Sequence, residues 1–243
     1  MIAGVSTGAL ALVFLAVLVG STMQAVVGLG IGLVAAPVIT MAEPQLMPGV
    51  LIALALLLPC VTLLHDHEDI DWPGLNWSLP SRIVGTALGV WVVSHLSERE
   101  LGISVGGMVL VAVLLTWKVV TVPITRTSLS VAGFIGGVTG TATSIGGPPY
   151  ALLYQHRPPH QIRSTMAVYF LIGAAISLVG LTISGDLTLH QLHACAVLVP
   201  AVVLGVVAGI PLRRRLPAHV VRPAVLVISA ASAVVLVVRS LAG

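Results

Sequence analysis

Residues 128–156 read SLSVAGFIGGVTGTATSIGGPPYALLYQH, and the break at Gly146-Gly147-Pro148-Pro149 decides how the chain folds. The apolar segments beside it, 128–142 and 146–156, are each too short to cross the roughly 30 Å of hydrocarbon in a bilayer. A straight helix cannot pass through that glycine and proline run. The two segments therefore read as one interrupted span or as a re-entrant pair.

The rest of the chain makes a membrane the only suitable solvent. Of its 243 residues 57% are hydrophobic and 8% charged, and the mean hydropathy is +1.10. These values exclude a soluble domain. Apolar segments lie near 3–22, 24–41, 46–64, 78–97, 101–121, 128–142, 146–156, 164–184, 191–212 and 221–241. Lipid leaves free backbone groups unsatisfied, so these are helices or a closed barrel, and continuous rather than alternating apolar runs select helices. The first run has no Lys or Arg before it and no cleavage signal, so it reads as a retained helix. Cys60 and Cys195 both fall in apolar runs, as buried thiols without a disulfide. The net charge of +3 comes from basic residues at helix ends, which suits lipid headgroups and topology rather than nucleic acid.

The break has a counterpart upstream. Gly28-Leu29-Gly30-Ile31-Gly32 followed by Glu43-Pro44-Gln45-Leu46 matches Ser144-Ile145-Gly146-Gly147-Pro148 followed by Pro159-His160-Gln161-Ile162 at an offset of 116. Further on, Pro80, Gly85 and Gly89 match Pro200, Gly205 and Gly209 at an offset of 120. The expected fold is an all-α polytopic membrane protein of about eight transmembrane helices in two homologous halves, each beginning with a Gly/Pro-interrupted helix. The halves are 1–122 and 127–243, joined by 123–126. Arg157, Arg163, Arg213-Arg214-Arg215 and Arg222 mark cytoplasmic connections. The acidic connections His65–Asp71 and Gly185-Asp186 then share the outer face, which makes the halves parallel, although Lys118 and Arg126 fit this poorly. If the glycine-rich elements return to their own side, each half has three full spans and the repeats are inverted.

Paired, interrupted elements at matching places are the sequence pointer to a transporter's binding site. Interruption frees backbone N–H groups inside the membrane, and half-helix N-termini carry partial positive charge, which suits an anion. In the first element Gln24 stands just before Gly28, Gly30 and Gly32, where it can bond a solute or bridge two helices. In the second, Thr139, Thr141, Thr143 and Ser144 precede Gly146, Gly147, Pro148 and Tyr150, whose hydroxyls can bond oxyanions. Back-bonding of Ser and Thr to their own helix is the plain alternative. Arg163 and Arg157 follow the second element and Arg82 begins a helix on the opposite face, each either drawing an anion to a pathway mouth or anchoring a helix end by snorkelling. The histidine pairs His65/His67, His156/His160 and His190/His193 lack a third ligand of suitable spacing, so no metal is expected. No nucleotide loop or hydrolase motif occurs in the chain, so neither a cofactor nor an enzymatic activity is expected.

Gln24-Ala25-Val26-Val27-Gly28-Leu29-Gly30-Ile31-Gly32 with Pro37, then Gly136-Gly137-Val138-Thr139-Gly140 through Gly146-Gly147-Pro148 and Arg163-Ser164-Thr165, resemble the TauE/SafE sulfite exporter family of membrane permeases. The first glycine cluster departs from the family's more frequent consecutive glycines. The resemblance implies secondary transport, with export usual, of sulfur-containing or organic anions such as sulfite, thiosulfate or sulfonates. The expected partners are a small anion and the lipid bilayer of the cell inner membrane, with a homo-oligomer left open. The expected mechanism is alternating access, one half moving against the other; an anion channel or a non-transporting membrane component is the rival.

Overall fold

The computed structural model describes residues 7–27, 31–65, 67–117, 122–215 and 218–242. Every regular element among them is helical. α1 (Thr7–Val27) is followed by a π-helical turn (Ile31–Ala35) that runs into α2 (Ala36–Ala42). α3 (Gly49–Leu54) and α4 (Leu57–His65) form a kinked pair, and α5 (Trp72–His95) and α6 (Glu98–Trp117) are long. After them come α7 (Arg126–Thr143), α8 (Pro148–Tyr154), α9 (Pro159–Ser184), α10 (Leu189–Arg215) and α11 (Ala218–Ala242). Among the described residues five helices are long and apolar enough to cross a membrane: Gly8–Val26, Glu98–Trp117, Pro159–Ser184, Leu189–Leu212 and Pro223–Ala242. α5 matches them in length but carries Asn76, Ser78, Ser81 and Arg82.

Local chemistry sets the helix starts. At α5 the Asp71 carboxylate accepts from the Gly74 amide at 3.0 Å, with Pro73 in the first turn where its missing N–H costs nothing. At α7, Thr125 and Ser128 cap each other reciprocally, side chain to backbone, at 3.1 and 2.9 Å. α7 ends at Ser144, whose φ of 61° turns the chain out of the helix.

The direction of each segment follows from what it touches along α5. At its start, the Asp71 amide donates to Thr165 of α9 at 3.0 Å and the Ser130 hydroxyl of α7 donates to the Trp77 carbonyl at 3.3 Å. Midway, Gly137 of α7 lies against the Arg82 carbonyl and Gly173 of α9 against the Arg82 guanidinium. Near its end, Gly89 meets Val138 and Thr141, and Ser94 donates to Asp186 at 2.6 Å. α7 and α9 therefore run alongside α5 in the same sense. α8 runs the other way, because Tyr150 meets Ser78 and Tyr154 donates to Asp71 at 2.7 Å, back at the starting end. α7 and α8 form a hairpin that returns to its own side.

The first hairpin behaves alike from the opposite side. α1 and α10 lie side by side in the same sense, with Gly205 against the Leu18 carbonyl and Gly209 against the Thr22 carbonyl. Gln191, near the start of α10, donates to the carbonyls of Gln45 and Met47 at 2.9 and 3.4 Å. The chain leaving α2 has thus come back to the end where α1 begins. α6 and α11 are antiparallel, with Gly102 against Ser240, Gly106 against Ala233 and Val237, and Arg99 donating to the Leu241 carbonyl at 3.1 Å.

Two expectations change here. The connections His65–Asp71 and Gly185-Asp186 lie at opposite ends of α5, about 35 Å apart at 1.5 Å per residue, so they do not share a face. Arg126, Arg157, Arg163, Arg213–Arg215 and Arg222 all fall, by their place in the helices, at the end where α5 starts, while Arg99 and Arg239 fall at the other. Lys118 lies outside the described residues.

The two largest of the buried apolar clusters among the described residues form the main cores, and each mixes early and late parts of the chain. The larger joins α1, α2, α3 and α6 to α10 and α11, with Val17, Ile39, Leu51, Val109, Leu198 and Ala233 at its centre. The smaller joins α5 to α7, α8 and α9 through Leu75, Leu129, Tyr150, Tyr154 and Tyr169. Glycines let the helices come close: an added Cβ on Gly85 would collide with the Phe134 carbonyl, and one on Gly133 with the Ser78 carbonyl.

Candidate functional site

A cavity of about 90 Å³ lies where the two hairpins meet. Gln24, Ile31 and Gly32 of the first hairpin line it, with Ser144, Gly146, Gly147 and Pro148 of the second. The breaks touch through bare backbone, since a Cβ on Gly32 would stand 2.8 Å from the Ser144 carbonyl oxygen. α9 contributes Phe170, Ala174 and Ser177, and the kink between α3 and α4 contributes Ala55.

Gln24 bridges its own break. Its Oε1 accepts from the Ile31 amide at 3.0 Å, satisfying a backbone donor freed where the π-helical turn begins. Its side chain also lines the cavity, where an amide offers N–H donors. Ser144 donates to the Pro48 carbonyl at 3.1 Å, which ties the second break to the chain just before α3.

Arg82 also lines the cavity, in the middle of α5, and is only 3% exposed. Its guanidinium lies over the Tyr169 ring, with Cζ 4.2 Å from the ring centre. Nε and Nη1 make no hydrogen bond. Among the described residues no carboxylate lines the cavity and none is ion-paired with Arg82. A guanidinium stays protonated throughout the usable pH range, and a buried charge without a partner costs several kcal/mol. The cavity therefore holds one fixed positive charge with two unused donors.

The sequence reading brought part of this constellation together. Gln24, Gly32, Ser144, Gly146, Gly147 and Pro148 do line the cavity. Gly28 and Gly30 lie outside the described residues. Thr139 and Thr143 stand outside it, with hydroxyls bonded one turn back to Ile135 and Thr139 at 2.9 and 2.8 Å, as mid-helix threonines commonly do. Thr141 is fully buried and pairs with Ser177 at 2.8 Å, behind the wall. Tyr150 packs in the smaller core, and Arg163 sits in the second turn of α9, away from the cavity. Arg82 was expected at the start of a helix. It lies deep within one because α5 begins at Trp72, six residues before the apolar run that marked it in the sequence. α8 has only seven residues, so the positive pole of the site is a side chain rather than a long helix dipole.

Among the described residues no three His, Cys, Asp or Glu side chains come together. His160 and Asp69 form an ion pair of 2.9 Å at the surface, with His156 outside that helix.

A family model described as "Sulfite exporter TauE/SafE" matches residues 12–236, a stretch that contains both hairpins, both cores and Arg82. No curated protein and no solved structure matches the chain. With nearly the whole length matched and five helices fit to cross a bilayer, this multi-pass membrane protein belongs to the TauE/SafE family, a family of transporters of the sulfite-exporter type.

Proposed function

We propose that this protein exports small sulfur-containing or organic anions such as sulfite, thiosulfate or sulfonates across the inner membrane by alternating access. The observation that carries the reading is Arg82, a permanent cation buried in the cavity between the hairpins with Nε and Nη1 unpaired. An anion bound there supplies the missing counter-charge, and Gln24 Nε2 adds a neutral donor across the cavity. The family name points to sulfite, and a site with one guanidinium and no carboxylate suits an oxyanion.

The directions of the helices support an inverted repeat. α3 with α4, α5 and α6 cross in the first half, α9, α10 and α11 in the second, and one hairpin enters from each face. This arrangement of six crossings and two re-entrant hairpins replaces eight equivalent spans. It also collects Arg126, Arg157, Arg163, Arg213–Arg215 and Arg222 on one face, which the positive-inside rule assigns to the cytoplasm. The bodies that move in this reading are the two cores, with the anion between them, and the driving force is an ion gradient or the anion's own gradient.

The test is flux of radiolabelled sulfite, thiosulfate and a sulfonate in proteoliposomes, with Arg82→Gln beside the unaltered protein. Saturable flux of at least one anion that is lost in Arg82→Gln is expected. Flux no greater than in empty liposomes for all three would sink the substrate assignment, and unchanged kinetics in Arg82→Gln would remove Arg82 from the site.

A further inference from the structure

We infer that Tyr169 and Gly173, one turn apart on α9, form a cradle that fixes the Arg82 guanidinium, so that Tyr169 governs anion affinity through Arg82 without lining the cavity; this rests on the anion site proposed above. The guanidinium lies on the ring face of Tyr169, 4.2 Å from its centre. On the Gly173 side there is no room for a side chain, because an added Cβ would overlap Arg82 Cζ, Nε and Nη2. An arginine side chain has several rotatable bonds, and a guanidinium with unpaired Nε and Nη1 has no hydrogen bonds from those atoms to hold its orientation. Ring and bare helix backbone hold it instead.

The ring is itself held. Tyr169 stacks on Tyr150 of α8 at 4.0 Å between centres and 2° between planes, and Tyr150 stacks on Tyr154 at 4.9 Å. The Tyr154 hydroxyl donates to Asp71 at 2.7 Å, so the column is anchored where α5 starts. Tyr169 is fully buried and its hydroxyl makes no hydrogen bond. What the site uses is therefore the π face, which attracts a cation most strongly when water is excluded.

A tyrosine that merely fills the core predicts something different: truncation would lower stability and the amount of working protein, and leave the KM of the surviving molecules unchanged. The experiment measures KM and Vmax for radiolabelled sulfite in proteoliposomes, with thermal melting in detergent to report folding. Tyr169→Leu is expected to raise KM about tenfold with Vmax per folded molecule within about twofold, while Tyr169→Phe and Tyr169→Trp keep KM within about twofold. Gly173→Ala, which pushes the guanidinium from the other side, is expected to raise KM as well. A wild-type KM in Tyr169→Leu overturns the cradle, as does a KM in Tyr169→Phe as high as in Tyr169→Leu, because the hydroxyl would then act directly. If Tyr169→Leu does not fold, Gly173→Ala decides by the same KM. Unchanged kinetics in Arg82→Gln would remove the anion site and the cradle together. Loss in Arg82→Gln beside a wild-type KM in the α9 variants removes only the cradle.

Discussion

The helix pairs α5–α7 and α1–α10 are built to one plan and equipped differently. In both, two helices run in the same sense and a glycine ladder lets them approach: Gly85 and Gly89 in one, Gly205 and Gly209 in the other. At the offset of 120 that matches those glycines, Arg82 falls on Val202, a fully apolar residue that is 1% exposed in the larger core. At the offset of 116, Gln24 falls on Gly140. Each pair thus brings one polar side chain to the cavity, a cation from one and an amide from the other. Two similarly packed helix pairs thus differ in the chemistry they bring to one cavity.

The comparison is broken most severely by removing its one charge. Arg82→Gln is expected to lower Vmax/KM for sulfite about a hundredfold or more in proteoliposomes, since the charge-assisted bonds and the counter-charge go together. Giving the other pair a charge is the next largest change. Val202→Arg buries a guanidinium without a partner at a cost of several kcal/mol, and loss of the folded peak in size-exclusion chromatography is the expected outcome. The ladders differ in tightness, since a Cβ on Gly85 would collide with the Phe134 carbonyl while one on Gly205 would stand 2.6 Å from the Leu18 carbonyl oxygen. Gly85→Ala is therefore expected to lower the melting temperature in detergent more than Gly205→Ala, by an extra ~1–3 kcal/mol of overpacking. Gln24→Ala removes the side-chain acceptor of the Ile31 amide and an amide group from the cavity wall, and a rise in sulfite KM of roughly three- to tenfold is expected. Thr139→Val, which changes only a hydroxyl bonded back along its own helix, is expected to leave KM and Vmax unchanged.

The interruption at Ser144–Pro148 and the helical membrane class were readable in the sequence, because glycine, proline and apolar run length act locally. Arg82 was not. The apolar run begins only at residue 78, which puts Arg82 near the start of a helix. Asp71 caps the helix earlier and α5 runs through Pro80, which carries Arg82 from the headgroup level to the middle of the helix. The available signal was its isolation, since no other charged residue occurs between Asp71 and Glu98. The direction of α8 was equally hidden. It depends on the left-handed turn at Ser144 and on Tyr154 reaching Asp71, and contacts so distant along the chain leave no local periodicity.

The mixing of early and late helices in each core bears on how the protein is made. α1 emerges from the ribosome long before α10, the helix whose glycines rest on its Leu18 and Thr22 carbonyls, and α5 must wait for α7. A nascent chain halted after Trp117 has inserted α1 to α6 with both cores unfinished. Its close-packing faces, including that of Arg82, meet lipid, translocon or chaperone until the second half arrives. Assembly in the membrane is consequently deferred past the middle of the chain: the smaller core can close once α9 ends at Ser184, the larger only after α10 and α11 have followed.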